Sequence, residues 1–293
     1  MNESIPRRTA LKSIATGAAA LAATNAISNT ASAAHHKSGL KGNINHSVCK
    51  WCYKGIELDP FCKASKDMGI KGIDLINVND FGTLQKYGLD CAMVSGVPGG
   101  IKNGLNRLEN HDAIIEFFET VSPKVAAAGY KNIICFSGNR DGMSDREGLI
   151  NCAKGIKQIV PIAKKHGVTI VMELLNSKVN HADYMCDLSK WGVDLCEATG
   201  AEEFKLLYDI YHMQIMEGDV IATIKKYHPY FAHYHTGGVP GRHEIDKTQE
   251  LYYPAIMEAI VETGFKGYVA QEFIPAGPDP LTSLKQGVEI CDV

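Results

Sequence analysis

The chain is predicted to fold as a single (β/α)₈ TIM barrel of the α/β class, and three observations predict it. Runs rich in β-branched and aromatic residues alternate with amphipathic helical patterns. The alternation occurs eight times within about 250 residues, as a barrel of this class requires. No linker-like stretch interrupts residues 45–293. A doubly wound open sheet is the alternative, but no GxGxxG motif follows the first strand and no Walker-type loop is present.

The eight predicted strands are short apolar runs bounded by turn residues. In chain order they span 47–53, 72–77, 91–96, 132–138, 169–176, 204–212, 230–236 and 267–274. The helices between them repeat apolar residues at a spacing of three or four. They are predicted at 58–68, 81–87, 111–128, 145–166, 187–199, 219–227, 254–263 and 279–290. After the sixth strand the helix is expected to begin near Glu217 or Asp219.

The bulk composition describes an ordinary globular protein. The chain has 293 residues, 45% of them hydrophobic, and a formal net charge of -3. That length is sufficient for one large core. The slight negative charge, without a long basic run in the barrel region, disfavours nucleic acid as a partner.

The N-terminus has the features of an export signal. Arg7 and Arg8 precede a weakly hydrophobic, Ala-rich run at 14–27, and Ala31-Ser32-Ala33 offers a small-residue cleavage site. The paired arginines followed by Leu-Lys resemble a bacterial twin-arginine (Tat) signal, which predicts export to the periplasm. A membrane anchor is the alternative, but the run is too short and too mild to span a bilayer. The predicted organisation is a signal peptide at 1–34, a linker at 35–44 and a catalytic barrel at 45–293.

The nine cysteines are predicted to be packing residues. Their number is odd, the chain is not a small secreted scaffold, and several lie within apolar patterns. Cys49 and Cys52 form a CxxC inside the first predicted strand. Residues three apart on a strand point to opposite faces, so redox or zinc use is not expected there.

Four successive predicted strands end in polar side chains suited to binding a metal. These side chains are Glu173, Asp209, His235 and Glu272. The C-terminal ends of barrel strands line one mouth, so the four are predicted to converge. Three carboxylates and an imidazole favour a divalent cation such as Mn²⁺, Mg²⁺ or Co²⁺. Taken singly, each carboxylate could instead cap a helix or pair with an arginine, and the histidine could be a core residue.

Four segments carry a resemblance to a known family. The runs MELLN, DIYHMQIMEGD, HYHTGGVPGRHE and QEF together look like the hydroxypyruvate isomerase family. That family belongs to the xylose isomerase-like barrels, which include ketose 3-epimerases. The resemblance implies three groups of site residues: Glu173 and Glu272 as an acid/base pair, these two with Asp209 and His235 as metal ligands, and His212 and Arg242 as substrate contacts.

Two positions depart from the patterns of that family. Hydroxypyruvate isomerases often carry Gln where this chain has His235, whereas the epimerases carry His. The epimerases also have a further Glu six residues after the strand-five Glu, where this chain has Val179. The chain therefore combines the sequence style of one branch with a metal ligand of the other.

The predicted function is a metal-dependent isomerase or epimerase acting on a small sugar or hydroxy-keto acid. One glutamate would remove a proton next to a carbonyl, and a metal would stabilise the resulting enediolate. A lyase or dehydratase acting on a 3-keto sugar or inosose, an abasic-site endonuclease and a non-catalytic exported sugar-binding barrel are the alternatives. A homo-oligomer is a possible assembly, and no membrane association is expected after signal removal.

Overall fold

The computed structural model describes residues 39–293, and in this range eight parallel strands close into a barrel. Each strand pairs with the next along the chain, and the last pairs with the first. The predicted (β/α)₈ barrel is therefore confirmed. The strands are β1 Asn45–Cys49, β2 Gly72–Ile76, β3 Asp90–Val94, β4 Asn132–Cys135, β5 Thr169–Glu173, β6 Phe204–Asp209, β7 Phe231–Thr236 and β8 Tyr268–Gln271.

Nine α-helices lie among residues 39–293. They are α1 Leu58–Asp67, α2 Phe81–Lys86, α3 His111–Ala127, α4 Asp145–His166, α5 Ser189–Thr199, α6 Ile210–Met216, α7 Val220–Tyr227, α8 Tyr253–Glu262 and α9 Pro280–Cys291. Eight of them match the predicted helices to within one or two residues. The extra helix, α6, follows β6 without a gap, so the expectation that the chain stays non-helical until Glu217 or Asp219 is wrong. The Asp209 side chain accepts a hydrogen bond from the His212 amide and caps this helix.

The first strand is shorter than predicted. It ends at Cys49, and Lys50–Tyr53 form a 3₁₀ turn. Cys52 therefore lies on this turn, and the expectation that Cys49 and Cys52 point to opposite faces of one strand is wrong. All nine cysteines are free, and all except the half-buried Cys52 are buried.

Two apolar layers hold the barrel together. The larger one lies between the strands and the surrounding helices and includes Phe61, Phe118 and Phe204. A smaller cluster fills part of the barrel interior, with one residue from each of β3 to β6: Met93, Ile134, Val171 and Leu207. Each fully buried side chain of this size contributes about 1.5–3 kcal/mol relative to an exposed one.

Strand β2 departs from regular pairing at its centre. Its register against β3 shifts between Ile73 and Asp74 and again between Asp74 and Ile76. Leu75 adopts a φ of 60°, in the left-handed region that is unfavourable for a leucine. A bulge of this kind re-aims side chains in a strand.

No helix within residues 39–293 is both long and apolar enough to cross a membrane. The predicted signal peptide, 1–34, and the first part of the predicted linker, 35–38, lie outside the described residues. Export therefore stays a prediction.

Candidate active site

The four predicted strand-end residues meet at one mouth of the barrel. Glu173 and Asp209 are the last residues of β5 and β6, His235 is the penultimate residue of β7, and Glu272 directly follows β8. One donor atom from each lies within 4.8 Å of the others. All four side chains are buried. The predicted convergence is present, and the roles assigned to the four residues stay predictions.

The imidazole of His235 stands at the centre of the carboxylates. Its Nδ1 lies 2.5 Å from Oε2 of Glu272, 3.3 Å from Oε1 of Glu173 and 3.9 Å from Oδ2 of Asp209. This ring nitrogen therefore faces the predicted metal position.

The pKa values of the three carboxyl groups are perturbed because the groups share one buried site. Burial raises the pKa of Glu173. Burial also raises the pKa of Asp209 to about 7, against the opposing charge of Arg242. For Glu272 burial acts in the same direction, but Arg242 and His235 outweigh it and hold its pKa well below the usual range.

Arg242 places a fixed cation against this cluster. It lies in the loop after β7 with a φ of 59°, and only 8% of its surface is exposed. Nη2 donates to Oδ2 of Asp209 at 2.8 Å and makes a short contact with Oε2 of Glu272. The guanidinium also packs over the rings of Trp51 and Tyr211, 5.6 and 5.1 Å from their centroids. These contacts on several sides fix the charge in one position.

His212 has two hydrogen-bond donors next to its ring. Nη1 of Arg242 lies 2.7 Å from its Nε2, and Nδ2 of Asn176 lies 2.6 Å from its Nδ1. Burial lowers the pKa of His212 well below the usual value, so the ring is neutral. A neutral imidazole has only one acceptor nitrogen, and it cannot accept from both neighbours.

The orientation of Asn176 decides which nitrogen of His212 is the acceptor. The Asn176 Oδ1 accepts from the amides of Val179 and Asn180, at 3.0 and 2.8 Å. Its Nδ2 also donates to Oδ1 of Asn180 at 2.8 Å. With the amide held this way, Nδ1 of His212 accepts and Nε2 carries the proton. Nε2 then meets the guanidinium donor to donor, and an acceptor oxygen arriving at this position would relieve the contact.

Sequence reasoning missed three contacts of the site. Trp51 donates from Nε1 to Oε1 of Glu272 at 2.7 Å. Nε2 of His235 faces the Cys49 thiol at 3.7 Å and the carboxylate of Asp74 at 3.4 Å. Cys49 is the last residue of β1 and Trp51 lies on the 3₁₀ turn after it, whereas the sequence predicts one strand through both. Asp74 is predicted only as part of a strand.

The residues present fit a divalent cation. Three buried carboxylates face one guanidinium, so they carry an excess of two negative charges when all three are ionised and His235 is neutral. Nδ1 of His235 has no hydrogen-bond partner of acceptable geometry among the described residues. Buried charges of this kind are costly unless they are paired or bound to a metal. The oxygen-rich donor set suits the hard or borderline ions predicted from the sequence.

The profile of the family described as "Xylose isomerase-like TIM barrel" matches residues 53–292 of this chain. The chain belongs to the xylose isomerase-like TIM barrel family. The resemblance predicted from the motifs is thereby confirmed at the level of the family.

Curated relatives of this xylose isomerase-like barrel are named as isomerases. This chain is 34% identical to the 2-oxo-tetronate isomerase of Cupriavidus necator over 113 residues, which are 39% of this chain and 43% of that enzyme. It is 29% identical to the putative hydroxypyruvate isomerase of Homo sapiens over 107 residues, 36% of this chain and 39% of that one. These two alignments span about two fifths of each relative. A 2-oxo-tetronate isomerase of Haemophilus influenzae is 24% identical over 238 residues, covering 75% of this chain and 88% of that one.

Solved structures share the barrel at low sequence identity. A protein from Brucella melitensis described as an AP endonuclease of family 2 superposes with a TM-score of 0.75 at 19% identity, covering 84% of this chain and 99% of that one. The D-psicose 3-epimerase of Clostridium cellulolyticum gives a TM-score of 0.68 at 14% identity, covering 85% of this chain and 100% of that one. At such identities the similarity establishes the fold.

Proposed function

We propose that this chain is a divalent-metal-dependent isomerase or epimerase that moves a proton next to the carbonyl of a small sugar or hydroxy-keto acid. One observation carries the proposal. Glu173, Asp209, His235 and Glu272 converge in one buried site, where each offers a donor atom within 4.8 Å of the others. The names of the relatives, 2-oxo-tetronate isomerase and hydroxypyruvate isomerase, support the same reaction class.

The same four residues would hold the metal. When bound, a divalent cation supplies Lewis-acid stabilisation of negative charge on the substrate oxygens. The protein supplies burial, which excludes water and strengthens the electrostatic interactions within the site.

Glu173 and Glu272 are the proposed proton carriers. One carboxylate takes a proton from the carbon next to the carbonyl, and the electrons of the broken C–H bond form the double bond of an enediolate. Return of the proton to the same carbon from the opposite face gives an epimer. Return to the neighbouring carbon, with a proton shift between the two oxygens, exchanges the carbonyl and the hydroxyl. Neither route needs an oxidant or a reductant.

His212 and Arg242 are the proposed substrate contacts. The donor-to-donor contact between Nε2 of His212 and Nη1 of Arg242 favours an acceptor oxygen that takes a hydrogen bond from both. A carboxylate or a pair of hydroxyl groups suits the planar fork of an arginine. This pair would therefore bind the end of the substrate that does not react.

Exchange of solvent deuterium into candidate substrates tests the proposal. Hydroxypyruvate, four-carbon 2-oxo acids and free ketoses are incubated in D₂O with Mn²⁺, with and without a chelator, and analysed by NMR after metal removal. The proposal predicts exchange and isomer formation that stop when the metal is removed. Release of water or a fragment would instead indicate a lyase or dehydratase. Saturable binding without exchange would indicate a sugar-binding barrel.

Export to the periplasm and formation of a homo-oligomer are separate proposals, independent of the site. N-terminal sequencing of the mature protein would test removal of residues 1–34, and light scattering would test the formation of a homo-oligomer.

A further inference from the structure

A second polar cluster lies inside the barrel, beside the proposed metal position. Oδ2 of Asp74, on β2, lies 2.5 Å from Nε2 of His233 and 3.4 Å from Nε2 of His235. All three side chains are completely buried. Apart from these imidazole contacts, neither carboxylate oxygen of Asp74 has a hydrogen-bond partner among the described residues. The carboxylate therefore depends on the two histidines for compensation.

The backbone of β2 is distorted at the residues that position Asp74. The register shifts on both sides of Asp74, and Leu75 is held at a φ of 60°. Leu75 packs against the apolar interior cluster, while Asp74 contacts the histidines of β7. Two successive residues thus reach the barrel interior, which regular alternation along a strand does not allow. Strained backbone of this kind persists where the surrounding structure requires it, and often at functional sites.

The contacts of Asp74 bear on the tautomer of His235. A carboxylate only accepts hydrogen bonds, and both ring nitrogens of His235 face carboxylates: Nε2 faces Asp74, and Nδ1 faces Glu272 and Glu173. A neutral imidazole has one proton to share between these two sides. When Nδ1 binds a cation held by Glu272 and Glu173, the proton is on Nε2, where the carboxylate of Asp74 accepts it. Cys49 also lies near Nε2, at 3.7 Å, but sulfur is a weaker hydrogen-bond acceptor than a carboxylate.

We propose that Asp74 is a positioning residue: held by His233, it keeps His235 in the tautomer with the proton on Nε2 and so presents Nδ1 as a metal ligand. The proposal rests on the proposed function only in that the site binds a divalent cation. A carboxylate that orients a histidine ligand raises its basicity as well as fixing its ring. The Asp74–His233 pair therefore connects the bulge of β2 to the proposed metal site.

Nitrogen NMR of the unmutated protein tests the tautomer directly. With ¹⁵N-labelled histidine, the two ring nitrogens are distinguished by their couplings to the ring protons, and Mg²⁺ or Zn²⁺ serves as a diamagnetic probe. For the imidazole that responds to the cation, we expect the Nδ1 resonance to shift on binding and Nε2 to carry the proton in the bound state. In the cation-bound protein, a proton on Nδ1 or a cation on Nε2 would overturn the proposal. This measurement does not depend on the folding of any variant.

The variant Asp74→Asn tests the effect on metal binding. Loss of a partner that orients a metal ligand typically weakens binding by about 10- to 100-fold. We expect that loss for Mn²⁺ by titration calorimetry, together with an altered tautomer of His235. Asp292→Asn is the matched control. The carboxylate of Asp292 also faces a buried imidazole, because its Oδ1 lies 3.7 Å from Nε2 of His46 on β1. The control is expected to retain the affinity of the unmutated protein.

The outcomes separate this proposal from the proposed function. If the unmutated protein binds no divalent cation, the proposed function and the positioning role both fail. If it binds the cation and Asp74→Asn binds it equally well, only the positioning role fails. Equal losses of Mn²⁺ affinity in both variants would show that general destabilisation causes the loss, and the positioning role would fail. Two cations per chain, with one on Nε2 of His235, would make Asp74 a metal ligand and overturn its positioning role.

Discussion

The two sides of the barrel interior differ in chemistry although the same fold builds both. From β3 to β6 each strand contributes one apolar residue to a compact cluster: Met93, Ile134, Val171 and Leu207. On the opposite side, β7 and β2 contribute buried polar groups: His233, His235 and Asp74. The apolar side resembles an ordinary barrel core, whereas the polar side lies next to the carboxylates at the mouth.

The difference indicates that the apolar cluster of β3 to β6 stabilises the barrel, whereas the buried polar groups of β7 and β2 serve the site that Glu173 and Asp209 complete from the ends of β5 and β6. Apolar packing is favourable in proportion to the area buried and needs no specific partner. Buried carboxylates and imidazoles are favourable only as a satisfied network, and one missing partner leaves a costly group. Substitutions on the two sides should therefore affect different measurable properties.

The largest effect on activity is expected from Glu272→Gln, which removes a proposed proton carrier and metal ligand together. Acid/base groups contribute about 10²- to 10⁴-fold to rate, so kcat should fall by at least that range. The measurement is isotope exchange with Mn²⁺ at saturating substrate. Glu262→Gln is the control, because this glutamate is 63% exposed and pairs only with Lys225 in a described ion pair. Full activity in Glu272→Gln would remove this residue from the mechanism.

Ile134→Ala tests the apolar side. Removing a completely packed isoleucine side chain leaves a cavity, and the free energy of unfolding should fall by about 2–5 kcal/mol. Chemical denaturation measures the loss. The affinity of the folded protein for Mn²⁺ should stay the same. A weakened metal site without loss of stability would contradict the division between the two sides.

Metal binding should depend on pH in a direction set by the buried carboxylates. The pKa of Asp209 is raised to about 7, mainly by burial, so below that value the group carries a proton that the metal must displace. Affinity for Mn²⁺ should rise with pH from about 6 to 8, by about tenfold per unit for each proton released. Calorimetry in buffers of different ionisation enthalpy counts the protons. Binding that is independent of pH, with no proton release, would be inconsistent with this account.

The same raised pKa has a consequence for stability without metal. A carboxyl group whose pKa is higher in the folded than in the unfolded state stabilises the fold at low pH, and the contribution is lost as pH rises through the folded value. The contribution of Asp209 to the stability of the metal-free protein should therefore fall as pH rises from about 4 to 7, and the stabilisation by added Mn²⁺ should grow over the same range. Thermal unfolding with and without the ion measures both.

The smallest effect is expected from Trp51→Phe. The change removes the 2.7 Å hydrogen bond to Glu272 and retains an aromatic ring beside Arg242. A hydrogen bond to a charged group contributes about 1.5–3 kcal/mol, so kcat/KM should fall by about 10- to 150-fold. Trp191→Phe is the matched control, since this second tryptophan donates to the carbonyl of Asp145 between α4 and α5. Equal losses in the two variants would argue against a specific role for the bond.

The barrel and the four clustered site residues could be predicted because their signals are local and repeated. Each strand end contributes one polar residue to an apolar run, and eight strand–helix units fix where such ends must meet. Glu173, Asp209, His235 and Glu272 followed from these two facts alone.

The missed features depend on contacts between distant segments. The tyrosine- and isoleucine-rich YDIYH favours a strand, but the Asp209 cap starts helix α6 at once. Trp51 belongs to an apolar run that the structure turns into a 3₁₀ segment. Asp74 gave no signal as a lone acid in a strand pattern, since its histidines lie on β7 and only barrel closure brings them together. The bulge at Leu75 could not be predicted either, because leucine does not favour a positive φ.

A crystal structure of the protein grown with Mn²⁺, with anomalous scattering collected to locate the ion, tests the central claim most directly. The account predicts one strong anomalous peak per chain, bound by Glu173, Asp209, Glu272 and Nδ1 of His235. A cluster without a peak at saturating Mn²⁺, or an ion bound only at other residues, would contradict it.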